Sequence, residues 1–75
     1  MDDREILKLQ RYLNTLFGSH AVRVKRGPQK EAAEVEVDEE FVGTIYRDDE
    51  EGEVSYTFTM VILDVDLEKN GGIER

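Results

Sequence analysis

The chain has no cysteine and no tryptophan, one proline, one histidine, and ten bases against eighteen acids. Without cysteine, disulfides and thiolate metal sites are excluded. With one histidine, any metal site would have to be completed by carboxylates. No apolar run approaches the roughly 18 residues that a membrane-spanning helix needs. The opening Met1-Asp2-Asp3-Arg4 is not the basic segment of a secretory signal. The expectation is a soluble cytoplasmic protein with no membrane partner. At 75 residues the chain lies near the lower limit for a self-sufficient core. One domain is expected over residues 1–69, and Asn70-Gly71-Gly72 opens a flexible tail over 70–75. A deep pocket is not expected, because most apolar side chains are needed to fill the interior.

The charge is segregated. Residues 1–30 hold three acids and seven bases, whereas residues 31–68 hold fourteen acids and one base, Arg47. Such a surface repels phosphate backbones, so nucleic acid is not an expected partner.

From Asp2 to Phe17 the apolar residues follow a helical period. At about 100° per residue, Tyr12, Leu16, Leu9, Leu13, Ile6 and Phe17 form one arc of about 140°, with Leu7 outside it. Asp2 and Glu5 have the spacing of a capping box, and Gly18 suits the left-handed residue that ends a helix.

The remainder reads as four strands in a meander, giving an α+β fold of order α-β-β-β-β with the helix on one sheet face. Residues 21–26 and 33–38 alternate with period two around the turn Gly27-Pro28-Gln29-Lys30. Keeping the apolar sets on one face puts Val24 opposite Val35 and Val22 opposite Val37. The same register puts Lys25 opposite Glu34 and Arg23 opposite Glu36 on the other face, and each such pair contributes roughly 0.2–1 kcal/mol. The basic cluster Arg23, Lys25 and Arg26 then neutralises its neighbouring strand; a phosphate-binding patch is the competing reading. Residues 41–47 form the third strand and 53–63 the fourth. They are expected to bring Ile45 opposite Tyr56, Gly43 opposite Phe58 and Phe41 opposite Met60. Phe41, Ile45, Tyr56, Phe58, Met60 and Ile62 would face the helix. After Leu63, residues 64–69 close as a turn or short helix.

One helix covers one side of a sheet, so the reverse face meets water or another molecule. Val42, Thr44, Tyr46, Thr57, Thr59 and Val61 are the candidate interaction face. A core this small gains from sharing burial with a neighbour, which favours a homo-oligomer or a protein partner.

Motifs that would carry chemistry fail on inspection. Read as a calcium loop with Gly52 sixth, Asp48 to Glu53 puts Arg47 first and Phe58 twelfth, where carboxylates are required. His20 lies just past the helix end with no set of ligands or triad partners. Paired carboxylates such as Asp64 with Asp66 lack a cleft to raise one pKa. Gly71-Gly72 is not followed by a P-loop lysine. No catalytic residue, metal or cofactor is expected, and the chain does not read as an enzyme.

Leu9-Gln10-Arg11-Tyr12-Leu13 with Leu16-Phe17-Gly18, and the acidic hairpin tip followed by Ser55-Tyr56-Thr57-Phe58-Thr59-Met60, resemble a family of short acidic alphaproteobacterial proteins. That family is known only as a domain of unknown function. The resemblance covers about residues 6–67, implies a small bacterial protein, and brings no catalytic residues. The expected role is therefore protein interaction or self-association through the outer sheet face or the last strand's edge. The alternative is an acidic decoy that mimics nucleic acid and occupies a basic partner.

Overall fold

Asp2 starts the first helix. In the computed structural model, which describes residues 1–70 (the last two by backbone alone), α1 spans Asp3–Phe17. The Asp2 carboxylate accepts from the Glu5 backbone N–H at 2.8 Å, and Glu5 accepts from the Asp2 N–H at 3.2 Å, a complete capping box. At the other end Gly18 is left-handed, and the N–H groups of Gly18 and Ser19 donate to Thr15 and Asn14. That is the glycine-terminated ending the sequence predicts.

Four strands follow: β1 (Val22–Arg26), β2 (Ala32–Val37), β3 (Glu40–Asp48) and β4 (Ser55–Met60). They form one antiparallel sheet in chain order, so the α+β helix-plus-meander architecture stands. A short helix α2 (Asp64–Asn70) follows β4. From residue 71 on, the expected tail lies outside the described residues.

The β1–β2 register is the expected one, with Val22 opposite Val37 and Val24 opposite Val35. The ion pair on the reverse face is diagonal, Lys25 to Glu36 at 2.9 Å, rather than directly across to Glu34. Val22, Val24, Ala33, Val35 and Ile45 join Leu13 of α1 in the core. Ile45 and Val35 are almost wholly buried. Side chains of that size stabilise a fold by about 1.5–3 kcal/mol each when buried.

Three departures from expectation matter. First, α1 is rotated about its axis. Leu13 is buried and Ile6 and Leu9 are half-buried, but Tyr12, Leu16 and Phe17 are exposed. The flank turned to β1 carries Gln10 and Asn14 instead, because those amides satisfy backbone groups that leucine or tyrosine could not.

Second, the register breaks between Val35 and Glu36, leaving Val42 as an extra residue in β3. Phe41 therefore pairs with Glu36 and shares its outer face with Arg23. Val42, expected on that outer face, instead packs against the core cluster. A bulge exchanges the faces of the two residues, which alternation alone cannot foresee.

Third, β4 is shifted by two residues along β3: Ile45 faces Phe58, Gly43 faces Met60 and Arg47 faces Tyr56. The faces survive, since the shift is even. Phe58 still lies diagonally over Gly43, its Cε1 2.9 Å from where a Cβ would sit. In this register Val61 would fall opposite the bulged Val42, and the ladder stops there. The fourth strand is accordingly shorter than 53–63, and Ile62 does not face the helix but is 63% exposed.

Candidate functional site

The two margins of the sheet are built differently. Along β1, Asn14 donates to the Val22 carbonyl and accepts from the Val22 N–H, both at 3.0 Å. One helical turn earlier, Gln10 accepts from the Val24 N–H at 3.0 Å. These amides stand where another strand would and meet the Val22 N–H, the Val22 carbonyl and the Val24 N–H from within the chain. Residues 10 and 14 are one turn apart and flank the apolar arc. That pattern was present in the sequence, but it acquires meaning only once β1 is known to lie beneath it.

Along β4 the described residues offer nothing comparable. Among the described residues no strand lies beyond it. Ser55, Tyr56, Thr57, Thr59 and Met60 are exposed, and only Phe58 is half-buried. The whole run from Val54 to Leu63 carries no charge and no proline. Charged side chains, proline and bulges are the devices that keep an edge strand from pairing, and β4 has none of them.

The outer face beside this edge matches it in character. Thr44 faces Thr59 and Tyr46 faces Thr57 across the β3–β4 ladder, so four of the six predicted interaction residues form one contiguous group. Phe41, at 57% exposure, takes the place expected for Val42 on this face. Val61 is 70% exposed and lies just past the end of β4. The β1–β2 half of the same face is charged, carrying Arg23, Lys25, Glu34 and Glu36.

Opposite this face, a charged network fixes the helix. The Tyr56 hydroxyl donates to Glu5 Oε2 at 2.6 Å, and Arg47 Nε donates to the same oxygen at 2.8 Å. Arg47 Nη1 also meets Asp49 at 3.2 Å and Glu31 at 3.4 Å. The Tyr56 hydrogen bond, helped by the capping contact to Asp2 and by Arg47, holds the Glu5 carboxyl below its ordinary pKa against the opposing effect of burial. The same bond raises the Tyr56 pKa. Burial alone would lower the Arg47 pKa, but its contacts with Glu5 outweigh that and the value is raised. Each group is thereby locked in the charge state it holds at neutral pH, the opposite of a group poised for proton transfer.

The remaining candidates stay apart. His20 is exposed past the end of α1. Arg26 pairs with Asp3 at 2.6 Å. Among the described residues no three histidine or carboxylate side chains converge in a way that could hold a metal ion. Nor is any described helix long and apolar enough to cross a membrane.

The model of one protein family, described as a protein of unknown function (DUF3126), matches residues 5–66. That span takes in the capping Glu5, both edge-sealing amides and all of β4. No curated protein and no solved structure matches the chain.

Proposed function

The chain belongs to the DUF3126 family, and we propose that it is a non-catalytic protein-binding module whose working surface is the open edge of β4. The outer-face residues beside that edge, Thr44, Tyr46, Thr57 and Thr59, with Phe41, complete the surface. A single observation carries the reading: two helix amides stand along one sheet edge, whereas no described residue pairs with the other, which is uncharged. Unpaired backbone groups on such an edge accept a further strand, with main-chain hydrogen bonds giving affinity and alternate side chains giving selectivity.

The ionisable groups support a binding role over catalysis. Glu5, Arg47 and Tyr56 are spent on tethering the helix, and His20 is exposed past the end of α1.

The second reading, an acidic decoy for a basic protein site, draws on the β3–β4 turn. Glu50, Glu51 and Glu53 are exposed there, while Arg47 reaches Asp49.

One experiment separates the two. Tagged wild-type chain and the double variant Thr57→Lys/Thr59→Lys are compared for association with any chain, including untagged copies, at low and high salt. Edge binding predicts association that the lysines weaken and that salt leaves largely intact. A decoy predicts association that about 0.5 M salt abolishes, since exposed charges are then screened beyond a few ångströms. Equal association by both chains at both salt levels would overturn both readings.

A further inference from the structure

The surface of this chain is too large for a compact molecule of its mass. A folded 8.7 kDa protein exposes about 4,700 Å², whereas this one exposes 6035 Å². The radius of gyration, 13.8 Å, likewise exceeds the roughly 11 Å of a compact 75-residue domain, and the chain measures 45 × 22 × 21 Å. Half of the excess area, buried on each of two copies, already amounts to a standard protein interface of about 1,200–2,000 Å².

The excess has an apolar share concentrated at one end. The registers place Val22, Val37, Glu40 and Met60 at the same end of the sheet, and the chain leaves that end through Val61. Ile62, Leu63, Val65 and Leu67 beyond it are all about half exposed or more. Leu63, Val65 and Leu67 alternate as a strand would, yet the last two sit in a seven-residue helix. There they lie about 200° apart and share no face. A helix that short does not hold itself together in water, where about 12–15 residues are needed. Local pattern and observed conformation conflict here, and Leu63, Val65 and Leu67 stay about half exposed among the described residues.

We infer that the occupant of the β4 edge is a second copy of the same chain, paired antiparallel β4 to β4 about a two-fold axis, with Val61 and Ile62 of each copy lying against the other. This rests on the edge-binding reading and names its partner. Several observations select a second copy. The chain carries a net charge of −8, so two copies repel almost everywhere, but from Val54 to Leu63 they can approach without opposing like charges. Antiparallel pairs share a face, so the axis falls on Thr57 or Phe58. With the axis on Phe58, each Tyr56 faces the other Met60 and each Thr57 faces the other Thr59. The threonine pair is a favourable cross-strand neighbour, and a methionine sulfur packs favourably against an aromatic ring. The charged β1–β2 halves then lie at the two far margins of an eight-stranded sheet.

The test uses the full purified chain. Sedimentation equilibrium from 5 to 500 μM is combined with isotope-filtered NMR on a mixture of labelled and unlabelled copies. The expected result is a dimer with intermolecular cross-peaks among Tyr56, Phe58 and Met60, weakened at least tenfold in Thr57→Lys/Thr59→Lys. Both lysines point from the exposed outer face, and the cross-peaks of the unaltered chain decide the question if the variant fails to fold. A chain that stays monomeric across the range overturns self-pairing, as does a dimer whose cross-peaks lie elsewhere. If that monomer still takes up another protein in a lysine-sensitive way, self-pairing fails while edge binding survives. If it takes up none, both fail.

Discussion

Asn14 holds Val22 from both sides, its amide donating to the Val22 carbonyl and accepting from the Val22 N–H at 3.0 Å each. A helix side chain thereby does for β1 what a neighbouring strand would do, and fixes the rotation of α1 about its axis. Asn14→Ala leaves a half-buried N–H and carbonyl without partners, which costs about 1–3 kcal/mol. Asn14→Asp removes the donor and sets a negative charge against the Val22 carbonyl, so it should cost at least as much. Urea unfolding measures both, and the Val22 and Val24 amides should lose hydrogen-exchange protection first. An exchange pattern unchanged at Val22 would mean that the edge is closed by something else.

Gly43 is the narrowest point of the β3–β4 ladder. A Cβ there would sit 2.3 Å from the Thr59 carbonyl oxygen and 2.9 Å from Phe58 Cε1. Backbone cannot yield as a flexible side chain does, so Gly43→Ala must push β4 away from β3. The expected loss is about 1–3 kcal/mol, typical of overpacking, with chemical-shift changes centred on Phe58 and Thr59. A variant as stable as the parent would show that the two strands separate without cost.

The elements legible from sequence are those specified by near neighbours. The helix ends follow from Asp2, Glu5 and Gly18, and the β1–β2 register follows from alternation on both faces with an opposite charge across. Alternation leaves the β3–β4 register open by two residues, because an even shift keeps every side chain on its face. In the observed register Glu5, from another element, meets both Arg47 and Tyr56. A bulge leaves no mark in the alternation, so Val42 reads as an outer-face residue yet packs against the core. Of the outer-face group, Thr44, Tyr46, Thr57 and Thr59 were legible through period two alone. The contrast between the edges was not, since it depends on which strand the helix lies beside.

The Glu5–Tyr56 contact predicts how stability depends on pH. The folded chain holds the Glu5 pKa below 4.5, the ordinary value. This contribution is present above that value and is lost as pH falls through the depressed folded pKa. The Tyr56 pKa is raised above 10.0. Its contribution is complete below that value and is lost as pH rises through the folded pKa. Tyr56→Phe removes the largest cause of the Glu5 shift, so the carboxyl should titrate closer to its ordinary value. The acid limb of the stability curve should flatten with it. Carbon-detected NMR titration of the Glu5 carboxyl checks this directly, and an unmoved midpoint would assign the shift to Arg47 and the helix cap instead.

The loop between β2 and β3 is two residues long, and both are left-handed: Asp38 at φ 52° and Glu39 at φ 69°. Two-residue hairpins favour this mirror-image turn because its twist matches the strands, and glycine is its preferred second residue. Aspartate tolerates the left-handed region through local hydrogen bonding, whereas glutamate brings a Cβ penalty of about 1 kcal/mol. Glu39→Gly should therefore stabilise the fold by about 1 kcal/mol. For a domain of this size that raises the thermal midpoint by roughly 4–8 °C. Removing one charge from an acidic chain could raise the midpoint too, and Glu39→Gln isolates that effect while keeping the Cβ. If Gln matches Gly, the gain is electrostatic and the backbone argument fails; a gain confined to Gly places the strain in the turn.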